Sequence, residues 1–446
     1  MKKVLKSAVK VISIFLAGVI ALLALLCAIT LIWGGIQMSR GTVSEALPVT
    51  PDSFTPEIRL IVYTDTHNEN ENVADMISTA YSLFDNSENY KGVDAFIGLG
   101  DFSSIGTEPD YAAYAEALKE NLREETVYIN VLGNHEFKTA DYNELFVKYF
   151  PHEANEVFEI NGFSLIAFSG ERSLTEWTFT PNSLIWLDDA INEAEKTAGD
   201  KPVFVFQHPH PFGTVYGSTI WCTPQLNPVF AGHNKVINFS GHSHFPLNDP
   251  RSINQTSYTS VGVGAMARFE LDKNYVVGQH PEGYEDAAQF CVVEADSDGS
   301  VRLRGYDLLS DTFFCDYYIE NINDEASYSY TYKNMKAHDE APVFPENAEA
   351  QAITTENGDI RIEFTRAQVP EGFIVHSYEL TIKNEAGKTV YKDKIIADYY
   401  IISDKATQGF TVPASTLPDG TYTLTVTAES AYHKLSSPAT LTFTTP

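Results

Sequence analysis

The chain has 446 residues, 43% of them hydrophobic and 20% charged, with a formal net charge of −30. That length exceeds one ordinary domain and implies two or three units. The charge excludes any general attraction to nucleic acid or phosphate-rich surfaces, so action on a phosphate needs a local source of positive charge.

In chain order, Lys2, Lys3, Lys6 and Lys10 precede an uncharged run from Val11 to Ser39. Its most apolar part, Val11 to Trp33, has 23 residues, a helix of roughly 35 Å that is long enough to cross a bilayer. A signal peptide has a core of about 7–15 apolar residues and a small-residue cleavage site. This run is longer and ends in no Ala-x-Ala site, and Cys27 after Leu26 is a poor lipoprotein context. The expectation is an uncleaved single-pass anchor, with secretion after cleavage as the alternative. The lysines then stay cytoplasmic and the chain from about Gly41 faces outward. Residues 1–40 carry five basic and no acidic residues, and the remainder carries 25 basic and 60 acidic, a net of −35. Residues 41–56, with Pro48, Pro51 and Pro56 in or at the end of them, read as a spacer. Cys222, Cys291 and Cys315 permit one disulfide at most and fit no zinc-binding spacing.

A large unit follows, residues 57–340. Ile58 to Tyr63 is the first strand and ends in Thr64-Asp65-Thr66-His67. Asn72 to Leu83 reads as a helix with Val73, Met76, Ile77 and Ala80 on one face. Phe96 to Leu99 and Val127 to Leu132 are short buried strands. They lead into Gly100-Asp101 and Gly133-Asn134-His135-Glu136, with room for a crossover helix between them. Asp141 to Phe150 is helical. Val157 to Ile160 and Ser164 to Ser169 pair around Asn161-Gly162. Thr180 to Thr197 is a helix capped by Thr180, with Pro181 at its first position. Pro202 to Gln207 ends in His208, and Val236 to Phe239 ends in Gly241-His242-Ser243-His244. Tyr258 to Val263, Ala267 to Asp272, Gln289 to Ala295 and Val301 to Asp307 are expected to form the second sheet.

Several strands thus deliver polar residues at their ends: Asp65, His67, Asp101, Asn134, His135, His208, His242 and His244. Ligands of open α/β sheets collect there. A lone histidine at a strand end is more often structural, and Asp101 alone would serve as a helix cap. Eight such residues together are a different matter. Carboxylate oxygens, imidazole nitrogens and an amide oxygen are metal donors, and this set suits two divalent ions sharing Asp101.

On Asp65-Thr66-His67, Gly100-Asp101, Gly133-Asn134-His135-Glu136, His208 and Gly241-His242-Ser243-His244, the chain resembles a calcineurin-like metallophosphoesterase. The order matches throughout, the resemblance covers roughly Glu57 to Leu309, and Gly106 falls where the family often keeps a glycine. It implies a four-layer α/β/β/α sandwich. It also implies that Asp65, His67 and His244 bind one metal, Asn134, His208 and His242 the other, and that Asp101 bridges. Asp101 and His135 would be catalytic, His135 standing near the scissile phosphate outside the metal ligands. Two divalent ions (Mn, Fe, Zn or similar) about 3.5–4 Å apart offset phosphate charge and clamp the attacking and leaving oxygens. The implied activity is hydrolysis of phosphomonoesters or small phosphodiesters. The alternatives are a phosphodiesterase or nucleotide pyrophosphatase, and a non-catalytic surface binding protein working through the C-terminal unit. A small phosphate-containing substrate is the expected partner.

Around these motifs, Glu136 either orients His135 or is hydrogen-bonded at a helix start. Asn134, Arg251 and His210 are candidates to touch substrate. Arg251 would grip a phosphate bidentately or pair with Asp249 or another acid. His210 would support the site or belong to an ordinary loop. Phe212 to Trp221 reads as a packed loop or a substrate wall. His152, His233 and His280 lack strand-end placement.

Asp316 to Tyr332 is tyrosine-rich, and Ala341 to Glu346, with two prolines, marks the boundary of a unit at residues 341–446. Ile360 to Phe364, Ser377 to Lys383, Thr389 to Asp393, Gly409 to Val412, Thr421 to Ala428 and Ala439 to Thr444 are short alternating runs separated by turn signals. They argue an all-β sandwich. Leu417-Pro418-Asp419-Gly420-Thr421-Tyr422 before a strand resembles a fibronectin type III-like, immunoglobulin-like module. Its expected role is a spacer or a cell-wall or glycan contact.

Overall fold

The computed structural model describes residue 18, residues 39–173 and residues 176–445, Glu176 by its backbone alone. The N-terminal stretch expected to span a membrane lies outside the described residues, apart from residues 18 and 39. Among the described residues, no helix is long and apolar enough to cross a membrane.

Two six-stranded sheets form the body. The first is built from β1 (Ile58–Tyr63), β2 (Ala95–Gly98) and β3 (Val127–Asn130), which run parallel. The second contains β4 (Asn155–Ile160), β5 (Phe163–Phe168), β6 (Val203–Phe206), β7 (Val236–Ser240), β8 (Ile253–Gln255) and β9 (Thr259–Gly262), in the order β8-β9-β7-β6-β5-β4. Alternation decides what each strand faces. Ile58, Leu60 and Val62 point inward, onto Leu165, Phe204, Phe206, Ile237 and Phe239 of the second sheet. Ile61 and Tyr63 point outward, under α1 (Asn70–Phe84), α2 (Glu108–Asn121) and α3 (Tyr142–Tyr149). On the far side, Ile166, Phe168, Val203 and Val205 carry α4 (Pro181–Ala198) through Leu187 and Ile191. The result is four layers, α/β/β/α. As expected, Thr180 caps α4, its hydroxyl accepting from the Ser183 N–H at 3.3 Å.

One expectation fails. Gln289–Ala295 (β10) and Val301–Asp307 (β11), with Thr312–Ile319 (β12), extend the first sheet and not the second. β10 lies antiparallel to β1, with Leu60 opposite Val293. The free edge of β1 accepts them, while only Thr259–Gly262 joins the second sheet, parallel to β7. Residues 267–272 are strand only from Leu271. The chain before it runs along the strand ends instead, where the Met266 N–H bonds Thr64 O at 3.1 Å and the Glu270 N–H bonds His244 O at 3.2 Å. Residues 41–56 pack on the body: the Ser44 N–H donates to Asn334 Oδ1 at 2.8 Å, and Phe54 meets Tyr318 edge-on. Cys222, Cys291 and Cys315 are free.

The C-terminal residues form two sheets around one core. One holds β13 (Ala350–Thr354), β14 (Ile360–Thr365) and β17 (Thr407–Val412); the other holds β15 (Val375–Asn384), β16 (Thr389–Ile396), β18 (Thr421–Ser430) and β19 (Ala439–Thr444). This unit is joined to the body by apolar packing, since Phe373, Ile374, Ala431 and Tyr432 share a cluster with Leu247 and Ile253.

Candidate active site

The site forms where β1, β2, β3, β6 and β7 end on the same side of the two sheets. The backbone there is unusual. Asp65, His67, Asp101, His242 and His244 all have positive φ, between 43° and 70°. For residues with a Cβ this conformation costs roughly 1–2 kcal/mol each. It persists because the loops are tied to one another. The Asp65 N–H bonds Gly100 O at 3.2 Å and the His67 N–H bonds Asp101 O at 3.0 Å. Gly133 passes so close to Asp101 that a Cβ on it would collide with the aspartate side chain. Glu136, fully buried, accepts from the N–H groups of Asp101 at 2.9 Å, Gly133 at 2.8 Å and Ser103 at 3.0 Å. It therefore braces the β2 and β3 loops at the start of a short 3-10 turn, Glu136–Lys138, which is one of its two expected roles.

The side chains converge in two clusters. Asp65, His67 and His244 form one, Asp101, His208 and His242 the other, and the ligand-type atoms of each lie within 4.8 Å of one another. Asp101 Oδ2 lies 3.3 Å from His208 Nε2, 3.8 Å from His135 Nε2 and 4.0 Å from His67 Nε2, and so belongs to both. Asn134 Oδ1 lies 3.2 Å from His208 Nε2. Three rings are aimed by backbone carbonyls. The Nδ1–H groups of His208, His244 and His135 donate to Leu99 O, Arg268 O and Ser104 O at 2.8–2.9 Å, which leaves each Nε2 facing inward.

These residues fit divalent cations. His67 Nε2 and His244 Nε2 face each other at 3.1 Å, and without a shared cation or proton two lone pairs would oppose. Buried Asp65 Oδ1 lies 3.1 Å from the same His244 Nε2, and buried His242 Nε2 lacks a hydrogen-bond partner. The protons show the same demand. Burial works against a charged His208, yet Asp101 overrides it and lifts the ring to about 9. Burial and neighbouring His244 push His67 down to about 3. Burial, then Asp101, raises Glu136 to about 8. Imidazole and carboxylate donors in this number suit first-row divalent metals.

Two residues expected to touch substrate are held by protein partners instead. The Arg251 fork is held by Asp249, Nε to Oδ1 at 2.8 Å and NH2 to Oδ2 at 2.6 Å, with Tyr216 stacked 3.6 Å away. Both ring nitrogens of buried His210 are taken, by Ser240 Oγ at 2.7 Å and Ser243 Oγ at 2.8 Å, so it props the loop that carries His242 and His244 and offers nothing to a substrate. Lys138 and Trp177 were not anticipated. Lys138 Nζ lies 2.8 Å from His135 Nδ1; its sequence signal is a cation three residues after the histidine, on one face of the turn. Trp177 meets His242 edge-to-face at 4.7 Å, a contact that no local pattern announces.

A family model described as calcineurin-like phosphoesterase matches residues 58–246. Comparison with curated proteins finds no match. Similar solved structures include a conserved Streptococcus pneumoniae protein described as a predicted phosphoesterase, at 13% identity over 59% of this chain and 97% of that one, TM-score 0.29. A purple acid phosphatase from yellow lupin, Lupinus luteus, has 12% identity over 59% of this chain and 53% of its own, TM-score 0.39. A cold-active protein-tyrosine phosphatase of a Shewanella species has 13% identity over 61% and 88%, TM-score 0.28. The assignment rests on none of these three. With the strand-end clusters in place and the family model matched over the same residues, residues 58–246 are a calcineurin-like phosphoesterase domain with a two-metal active site for phosphoester hydrolysis.

Proposed function

We propose that the chain hydrolyses phosphomonoesters or small phosphodiesters at the outer face of a cell membrane, with Asp101 as the shared ligand of its two ions. The observation that carries the site reading is the place of Asp101 Oδ2, between His208 on one side and His67 and His135 on the other. Asp65, His67 and His244 would hold one ion, and Asn134, His208 and His242 the other. Bound divalent ions would offset phosphate charge and make water a better nucleophile at neutral pH. The chain's own residues do the rest. His135, fixed through Ser104 O, turns Nε2 toward the shared carboxylate and delivers a proton to the leaving oxygen. Its N–H, bonded to Asp101 Oδ1 at 2.8 Å, ties the position of the ring to that carboxylate. Asn134 and Lys138 stand within reach of the same space and would orient phosphate oxygens.

The C-terminal unit is proposed as a fibronectin type III-like module. The strand orders β13-β14-β17 and β16-β15-β18-β19 support this. So does Tyr422 near the start of β18, whose hydroxyl donates to Pro418 O at 2.7 Å, four residues upstream. The outward orientation rests on the N-terminal lysines and the apolar run.

The test is elemental analysis and turnover on the purified chain. About two divalent ions per chain and hydrolysis of a chromogenic monoester or diester are expected. His135→Ala should keep the ions and lose roughly 10²–10⁴ in kcat. A metal-loaded chain inert to a broad phosphoester panel would overturn the proposal.

A further inference from the structure

The C-terminal sandwich meets the loop between β6 and β7 at a polar node whose Asp272 and His376 are buried. The Tyr216 hydroxyl, in the loop between β6 and β7, donates to Asp272 Oδ1 and lies 2.9 Å from His376 Nε2. That nitrogen is 3.1 Å from the same aspartate oxygen. His376 belongs to β15 of the sandwich and is 3% exposed; Asp272 is 7% exposed. A satisfied network of this kind fixes one arrangement of its three segments, because any slip leaves buried polar groups unpaired.

What the node holds is specific. The Tyr216 ring stacks on Phe245, with centroids 3.8 Å apart and planes 13° apart, and Phe245 directly follows His244. The chain then turns at Gly217, φ +85°, where a Cβ would press on Phe245 and on Ser243. The Trp221 N–H closes that turn on Gly217 O at 3.1 Å. The indole of Trp221 lies 6.5 Å from His242 and 5.8 Å from Phe245, and it rests against Gly278 of the hairpin 271–279. Lys273 of the same hairpin is paired with Asp393 of β16 at 2.9 Å. Trp177, from a different hairpin, meets the same His242 ring. Both tryptophans are only partly buried.

We propose that Trp177 and Trp221 form an aromatic subsite beside His242 for the flat leaving group of an aryl or base-bearing phosphoester, and that the C-terminal sandwich positions it through His376, Asp272 and Tyr216. The substrate half rests on the phosphoesterase reading. Flat rings gain by stacking on indole, whereas a small alkyl group does not. His376 and Tyr216 are positioning residues that act through Trp221. The sandwich is then part of the substrate pocket and not a detachable spacer.

The experiment uses the full metal-loaded chain with two monoesters, 4-nitrophenyl phosphate and glycerol phosphate. Trp221→Ala is expected to raise KM for the aryl ester about tenfold and to move KM for the alkyl ester less than about twofold, with kcat nearly unchanged for both. His376→Ala should reproduce that pattern, and His376→Gln, which keeps a donor, should return toward the parent values. Hydrogen exchange in residues 212–223 should rise in His376→Ala while β1 and β7 keep their protection. Should that variant fail to fold, Tyr216→Phe, which keeps the ring on Phe245, carries the same test. Equal KM changes for both esters would overturn the aromatic subsite. Parent-like KM and exchange in His376→Ala and Tyr216→Phe would overturn the positioning role. A parent chain that hydrolyses neither ester overturns the subsite as a monoester site, while the phosphoesterase reading stands or falls on the broad ester panel and exchange in 212–223 decides the tether.

Discussion

Replacing Asp249 alone should cost far more than replacing Asp249 and Arg251 together. Asp249 is fully buried and the Arg251 side chain is 17% exposed, at the seam between body and sandwich. The carboxylate takes two bonds from the guanidinium and a third from the Arg251 N–H at 2.9 Å. Asp249→Leu strands the guanidinium. Breaking a buried pair costs about 3–5 kcal/mol, and the remaining exposure and the Tyr216 ring beneath it put this one near the lower end, about 3 kcal/mol. The double variant Asp249→Leu with Arg251→Met exchanges the pair for apolar groups and should fall within about 1 kcal/mol of the parent. Urea unfolding of the full chain, read as a double-mutant cycle, measures the difference. A single variant that loses less than about 1 kcal/mol, or a double variant that loses as much as the single, would refute the reasoning. If Arg251→Met raised KM for alkyl and aryl esters alike at unchanged stability, the guanidinium would belong to the substrate after all.

Asp101→Asn should weaken both ions together, whereas His208→Ala should chiefly empty one position; elemental analysis after dialysis compares them, and the reverse pattern breaks the assignment of Asp101 as shared ligand. Glu136→Ala leaves the N–H groups of Asp101, Ser103 and Gly133 without their acceptor and should cost at least about 3 kcal/mol in urea unfolding; unchanged stability would deny the brace. Glu429 is held down to about 2 from an ordinary 4.5 by His433, with burial opposing and Lys394 assisting. A depressed carboxylate stabilises above its unfolded pKa, so its contribution is present above about 4.5 and is lost as pH falls toward 2. Glu429→Gln should therefore differ most from the parent at neutral pH, with the gap in urea midpoint closing across that window; a gap independent of pH would contradict it.

The parts of this molecule legible in its sequence are those set by chemistry within a few residues. Runs such as Phe96 to Leu99 fix strands by composition, and the polar residues after them fix where a ligand goes. Asn161-Gly162 turns because both residues take positive φ, 54° and 74°. The failures are long-range. Nothing local to Gln289 to Asp307 says which sheet has the open edge; that depends on β1, over 200 residues earlier. Arg251 shows the same limit more subtly. Its sequence neighbour Asp249 was one of the partners on offer, beside a phosphate and another acid, and the packing of Tyr216 against the guanidinium accompanies the choice. The node of Tyr216, Asp272 and His376 draws on three segments and carries no motif. Hence the sandwich read as a separate piece, although it shares an apolar core with the body.

A chain at −30 that acts on an anion must solve its electrostatics within a few ångströms. At physiological ionic strength, exposed charges beyond about 8 Å are largely screened, so most of the 60 acidic residues do not govern the site. The charges that do are buried there: Asp65 and Asp101. Lys138 beside His135, and Arg268 near His67 and His244, offset them only in part, and Arg268 also faces Glu270 at 3.5 Å. Two divalent ions would change the sign of the local field outright. Inorganic phosphate, a product of monoester hydrolysis, reports that sign directly. Titration calorimetry should show phosphate binding to the metal-loaded chain and no measurable binding once chelation has removed the ions, with the fold unchanged by circular dichroism. Equal binding in both states would mean that protein cations hold the phosphate, and substrate capture would pass from the ions to Lys138 and Arg268.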